Sequence, residues 1–331
     1  MSRRFSLALI ALLILVIASK ISCEEEKLTI VATIAPLGSI AREIGGDKVN
    51  VIVLVPGGSD PHQYAPKPLE AELIRTCDLF ISIGKEPFLG QFPEKEEEKF
   101  LGWSDWIDGG IYVKNENPHY LWMYPDNVRL VSRVITNKLI SLDPENREYY
   151  ETNLALFEEK IASLKEWISN LKKMNDLEGE NVVLGGAHFE PIAEVLGLNV
   201  LGIIIKGEER LPSPSELVEL KKAAVQGKAK VIIVLATQKE GDEGRIADQI
   251  SKETGIPIVY VYGVFVDERD SYIEFMKYTI SHIISGIQAG RTAGGGQRSE
   301  STEPFWMAIM ILAILAAFQT FLLKRCRKWS Y

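Results

Sequence analysis

The stretch REYYETNLALFEEKIASLKEWISNLKKM, residues 147–174, constrains this chain more than any other. Its apolar positions Leu154, Phe157, Ile161, Leu164, Trp167, Ile168, Leu171 and Met174 recur every three or four residues, the spacing of one helical face. No Gly or Pro interrupts it. The pattern predicts one continuous helix of ~26 residues, ~40 Å long. A helix of that length can run along two lobes and fix their relative position. Its aromatic and Leu stripe reads as core packing, with no heptad extension toward a coiled coil.

The sequence on either side supports two lobes. Before the helix, β-branched runs occur at LTIVAT (28–33), VNVIVLV (49–55), LFISIG (79–84) and GIYV (110–113); after it, at NVVLGG (181–186), NVLGIII (199–205), KVIIVLA (230–236) and IPIVYVY (256–262). Amphipathic segments such as PLEAELIRTC and SPSELVELKKAAVQ separate them. The second opens with a capping box, Ser213 to Glu216, and has Pro214 at its first turn. Alternating β and α elements imply parallel sheets covered by helices. The expected fold class is α/β, with two Rossmann-like parallel-sheet lobes spanning residues 27–146 and 177–288, joined by a linking helix over 147–176. Ligands of such sheets bind beyond the carboxyl ends of the strands, so facing lobes would enclose a cleft.

The ends read differently. Arg3 and Arg4, then the apolar run Leu7 to Ala18, predict a signal peptide over residues 1–22. Cys23 at its border raises lipidation as an alternative, although KISC is a poor lipidation signal. Residues 304–323 are almost wholly apolar and precede Lys324, Arg325, Arg327 and Lys328. This predicts a membrane-spanning helix with residues 324–331 in the cytoplasm. Residues 289–303, rich in Gly, Ser and Thr, read as a flexible tether. The globular part is thus expected outside the cell, on a single-pass anchor. The chain carries −8 overall, and its two ends hold seven cations and no acid, so the part between is more acidic still. That charge disfavours nucleic acid as a partner. The three cysteines, Cys23, Cys77 and Cys326, give no disulfide framework.

Three of the four histidines fall just past the ends of predicted strands. His62 follows VNVIVLV in the loop VPGGSDPHQYAPKP, His119 follows GIYV in ENPHYLWMYPDN, and His188 follows NVVLGG directly. Loops at equivalent strand ends would bring these imidazoles to one cleft, and imidazole suits Zn²⁺ and other late first-row metals. Asp60 is placed either to orient the first loop or to cap its turn. His282, among Ile residues in YTISHIISGI, reads as an ordinary helix histidine.

These segments resemble the zinc/manganese solute-binding proteins of ABC importers. VPGGSDPHQYAPKPLEAELIRTCDLFISIG is similar to the first metal motif of that family, NPHYLWMYPDNV to the second and GAHFEPIAEVLGL to the third. LPSPSELVEL, SKETGIPIV and YIEFMKYTISHI match later landmarks, so the resemblance covers roughly residues 28–288. It implies two lobes with a metal held in the cleft by His62, His119 and His188. It implies no reaction, only capture and delivery to a membrane permease served by a separate ATPase subunit. His188 at the third position resembles the zinc branch, since manganese members tend to have Glu there; Mn²⁺ or another divalent metal remains an alternative to Zn²⁺. Two departures stand out. The acidic residue usual at the end of the last strand is replaced by Tyr262, leaving Asp267, Glu190, Tyr262 itself or water as alternative fourth ligands. Leu235 stands where many members carry a cleft Glu, and the long His-rich loop of many zinc members is absent.

Competing functions are an extracellular zinc hydrolase, in which Glu190 would serve as general base, and a receptor for a metal chelate lined by Tyr120 and Trp122. The chain lacks H-E-x-x-H and any phosphate-binding Gly loop, and adhesion finds no test in it.

Overall fold

The computed structural model describes residues 27–57, 64–92, 98–206, 211–264 and 271–295. The first lobe contains β1 (Leu28–Ala32), α1 (Ala35–Gly45), β2 (Val49–Val53), α2 (Pro68–Thr76), β3 (Leu79–Ile81) and β4 (Phe100–Leu101). It closes with α3 (Trp103–Asp108), α4 (Tyr120–Met123) and α5 (Pro125–Leu142). The helix α6 (Arg147–Met174) then leads to the second lobe: β5 (Asn181–Gly186), α7 (Glu190–Leu196), β6 (Asn199–Ile205), α8 (Pro214–Gln226), β7 (Ile232–Leu235), α9 (Asp242–Thr254) and β8 (Ile258–Val261). The last element, α10 (Tyr272–Gly295), follows.

Each lobe has a four-stranded sheet, ordered β2-β1-β3-β4 and β6-β5-β7-β8. Every pairing is parallel, as the alternation requires. In both sheets the order reverses beside the first strand, so a switch point lies at the carboxyl ends of β1 and β5.

One strand differs from expectation. GIYV (110–113) is not the fourth strand; Phe100–Leu101 takes that place, pairing with Phe80 and Ile81. The reason is local. The Asn127 side chain accepts from the Tyr112 N–H at 2.7 Å and donates to the Tyr112 carbonyl at 2.6 Å. Both main-chain groups of Tyr112 are therefore satisfied by one amide, which competes with a sheet ladder.

The 28-residue helix α6 forms as its pattern predicts. Phe157, Ile161, Leu164 and Ile168 are buried on it. It packs against α1 and α5 of the first lobe and α7 of the second. The largest buried cluster runs from Ile30 and Leu37 through Phe157 and Leu164 to Leu184 and Ile233. The lobes therefore share one core across α6, which makes their arrangement stiff. The chain also returns: the Tyr272 N–H at the start of α10 donates to Ser39 Oγ on α1 at 3.1 Å. The capping box of α8 is present, with Ser213 N–H donating to Glu216 Oε2 at 2.9 Å.

The region read as a tether from residue 289 begins as helix, because α10 continues to Gly295. Arg291 holds that end, donating to the carbonyls of Asn175 and Asp176 at 2.7 Å and pairing with Glu180. Among the described residues no helix is long and apolar enough to cross a membrane; the expected signal peptide and the segment 304–323 lie outside those residues. Cys77 is buried as a free thiol, donating to the Ile74 carbonyl, and burial pushes its pKa up to about 11.

Candidate metal centre

His188 is presented by the end of β5. Val182, Val183 and Leu184 are fully buried, and two glycines then lead into a single 3-10 turn, Ala187–Phe189. Phe189 is buried and anchors the turn, so the imidazole beside it projects from a fixed backbone. His119 comes from the first lobe. Asn115 and Glu116 have φ of 53° and 55°, a left-handed pair that reverses the chain after residues 110–113. Asn117 then leads to His119 and the buried run Tyr120–Met123.

This segment is fastened across to the second lobe at three places. Asn117 Nδ2 donates to the Ala187 carbonyl at 2.8 Å and to Glu190 Oε2 at 3.0 Å. The Tyr120 hydroxyl donates to Glu194 Oε2 at 2.8 Å. Trp122 Nε1–H donates to the Gly263 carbonyl at 2.9 Å. Burial and the adjacent Glu194 carboxylate hold the Tyr120 pKa well above the ordinary phenol value, so this hydroxyl remains a donor. Replacing Trp122 with Phe keeps an aromatic side chain, though a smaller one, and orphans a buried carbonyl; we expect a cost of about 1–3 kcal/mol from the lost hydrogen bond, read as a lower urea midpoint at unchanged slope.

The two imidazoles meet between the lobes. His119 Nε2 and His188 Nδ1 are 3.1 Å apart, and the ring centroids are 4.8 Å apart in an edge-on arrangement. Their outer nitrogens show how each ring is oriented. Asn117 commits its amide nitrogen to Ala187 and Glu190, so its Oδ1 faces the histidine, accepting from the His119 main-chain N–H at 3.0 Å and from Nδ1 at 2.8 Å. His119 Nε2 is then the unprotonated nitrogen. On the other ring, His188 Nδ1 makes the 3.1 Å hydrogen bond with that nitrogen, and His188 Nε2 lies 3.5 Å from Glu243 Oε2. The two facing nitrogens thus share a proton carried by His188 Nδ1, an arrangement in which a metal cation can take the proton's place. In a tetrahedral site with Zn–N of ~2.0–2.1 Å, neighbouring donor nitrogens stand roughly 3.3 Å apart, close to the spacing found.

The other candidates fall out as follows. His62, Asp60 and Asp267 lie outside the described residues. Among the described residues no three His, Cys, Asp or Glu side chains are grouped to hold a metal. Glu190 is engaged by Asn117 as an interlobe tether. Tyr262 follows β8 directly and is half-buried. His282 is exposed, its Nδ1 3.0 Å from the Tyr278 carbonyl one turn back, as expected of an ordinary helix residue. Tyr120 and Trp122 spend their polar atoms on the second lobe rather than on a chelate.

Sequence reasoning passed over Glu243. It lies in the first turn of α9, only 3 % exposed, with Oε1 accepting from the Leu235 N–H at 2.7 Å. The carboxylate missing at position 235 is thus supplied eight residues later. The signal available in the sequence was the Gly185–Gly186 pair. A Cβ on Gly185 would stand 2.1 Å from Glu243 Oε1, and one on Gly186 2.7 Å from His188 Nε2.

The chain as a whole is similar to proteins of one family. Residues 30–286 match the family described as "Zinc-uptake complex component A periplasmic". A manganese ABC transporter substrate-binding lipoprotein, PsaA of Streptococcus anginosus, is 27% identical over 306 residues, covering 85% of this chain and 96% of the relative. The crystal structure of ZnuA superposes with a TM-score of 0.67 at 26% identity, covering 79% of this chain and all of that one. The laminin-binding protein Lmb of Streptococcus agalactiae, described as having adhesin and metal-transporting activity, shares the fold with a TM-score of 0.67 at 19% identity. The relatives also correct the expected location. The streptococcal ABC-transporter relatives are named lipoproteins, a lipid rather than a single-pass anchor, so the single-pass assignment with a cytoplasmic carboxyl end is withdrawn.

Proposed function

We propose, from the premise that this chain belongs to the zinc-uptake complex component A family, that it captures Zn²⁺ through His119, His188 and His62. At the coarser level the chain is the metal-binding, substrate-binding component of an ABC importer, and the proteins it resembles are not enzymes. Its partners are accordingly a permease and an ATPase subunit, and the metal is cargo.

The observation that carries the zinc reading is the 3.1 Å approach of His119 Nε2 and His188 Nδ1 from two lobes, with the His119 ring oriented by Asn117 Oδ1. Two imidazoles give a borderline-soft donor set, which suits Zn²⁺ better than the oxygen-rich sets suited to Mn²⁺. His62, in a loop beyond β2, completes three ligands in this reading, and water fills a fourth position. A hydrolase finds less support, because Glu190 already accepts from Asn117 and does not serve as a free base.

The test is elemental analysis of the full chain purified without added metal, followed by competition between Zn²⁺ and Mn²⁺. One metal per chain, with Zn²⁺ displacing an equimolar amount of Mn²⁺, is the expected result. Stoichiometric binding with Mn²⁺ preferred would overturn the zinc assignment. No stoichiometric binding would overturn the capture function as well.

A further inference from the structure

We infer that Asn117 is a positioning residue for metal capture: its side-chain amide aims the ring of His119 and holds the backbone beside His188, so that one residue sets how the two imidazoles meet. This rests on both histidines being ligands, as proposed above.

Asn117 is buried, with 7% exposure, and its amide makes all four of the hydrogen bonds open to it. Oδ1 accepts from the His119 main-chain N–H at 3.0 Å and from Nδ1 of the same residue at 2.8 Å. Nδ2 donates to the Ala187 carbonyl at 2.8 Å and to Glu190 Oε2 at 3.0 Å. Two of these partners have a single possible role: a main-chain N–H only donates, and a carbonyl only accepts. The amide therefore has one permitted orientation, because half a turn would set NH₂ against N–H on one side and oxygen against oxygen on the other. His119 Nδ1 must then carry the ring proton, and Nε2 keeps its lone pair toward the metal position. With all its polar side-chain atoms committed, Asn117 has no lone pair left for the metal and acts through the histidines.

The main chain of Asn117 is held too. Its N–H donates to the Lys114 carbonyl at 3.0 Å, and its carbonyl accepts from the Tyr120 N–H at 3.3 Å. Pro118, with its fixed φ, is the only residue between the amide and His119. On the far side, the amide reaches both flanks of His188. Ala187 opens the 3-10 turn that presents the ring, and Glu190 opens α7 just after it. The 3.1 Å approach of His119 Nε2 to His188 Nδ1 thus closes a loop of contacts that starts and ends at one amide. A shift of either lobe at this point breaks a buried hydrogen bond of Asn117. A ligating histidine gains a fixed orientation when its other N–H has an acceptor; here the same acceptor group also fixes the neighbouring ligand's backbone.

Asn117→Ala removes both contacts, and Asn117→Asp removes one. In the Ala variant the His119 ring is free to turn and to hold its proton on Nε2, where it blocks the metal. We expect Zn²⁺ affinity to fall about 10–100-fold, and the His119 ¹⁵N resonances of the metal-free full chain to move from the Nδ1–H pattern toward that of Nε2–H. Asn117→Asp keeps an acceptor for His119 but sets its second oxygen against the Ala187 carbonyl and the Glu190 carboxylate. It should retain the Nδ1–H form and bind Zn²⁺ more tightly than Asn117→Ala. Equal losses in the two variants with no tautomer change would mean that Asn117 acts through packing alone and would overturn the inference. Zn²⁺ affinity within twofold of the parent in Asn117→Ala would also overturn it. The parent chain carries the test if the Ala variant does not fold: His119 protonated at Nε2 in the metal-free parent would overturn the inference without any substitution. His119→Ala separates this from the proposed function. If that variant binds Zn²⁺ like the parent, the site itself is misplaced; if it loses binding while Asn117→Ala does not, the inference alone fails.

Discussion

His188→Ala should remove most of the rise in melting temperature that Zn²⁺ is expected to produce, and His119→Ala should do the same. A ligand that binds the native state alone stabilises it by about 2.7 kcal/mol at one hundred times its Kd. For lobes of this size each kcal/mol moves the melting temperature by roughly 2–4 °C, so the parent chain should gain about 5–11 °C. The two nitrogens that face each other at 3.1 Å come from residues 69 positions apart, in different lobes. Removing either leaves a single imidazole from the pair, and the shift should shrink to a small fraction. His62→Ala should behave alike if the loop beyond β2 supplies the third ligand. His282→Ala is the control, because its ring is exposed one helical turn from Tyr278. Calorimetric melts with and without Zn²⁺ decide the matter, and an undiminished shift in His119→Ala and His188→Ala would place the metal elsewhere.

Phe157→Ala should be the most destabilising single change in the linking helix. Phe157 is 1% exposed in the core that the lobes share, and its ring meets Tyr272 of α10 edge-on at 6.4 Å. Truncating a buried Phe loses its transfer free energy and leaves a cavity, together about 3–5 kcal/mol. That corresponds to a fall in melting temperature of roughly 6–20 °C. Leu156 is the neighbouring comparison: it is 53% exposed, and Leu156→Ala should cost less than about 0.5 kcal/mol. Urea unfolding of the two variants measures both. Similar midpoints would mean that α6 is not the shared support its burial indicates.

Part of the arrangement was readable before any coordinates. His188 follows a strand end that the pattern shows, whereas the strand expected before His119 does not form, and the two imidazoles nonetheless meet between the lobes. What could not be read was how each ring is held. Asn117 carries no signal in the sequence and Glu190 reads there as an alternative fourth ligand or a general base, yet they bond to each other from 73 positions apart. Glu243 lies in the first turn of a helix, where negative charge complements the helix dipole, and nothing local marks it as facing a histidine. Its direction, back toward β5 and β7, depends on the packing of α9 over the sheet.

The amino-acid sequence by itself determined the elements and their order. Seven of the eight strands, the 28-residue helix and the capped start of α8 follow from periodicity, turn residues and caps, which are local and act over a few residues. Tertiary structure alone decided the fourth strand of the first sheet, the fastening of residues 117–122 to the second lobe and the placement of Glu243 behind His188. Each of these is a choice between partners for a polar group. The main chain of Tyr112 could pair with a strand or with the Asn127 amide, and Glu190 could face a metal or Asn117. Such choices are settled by which groups the fold brings within about 3 Å and which it shuts away from water, and no local pattern carries that information.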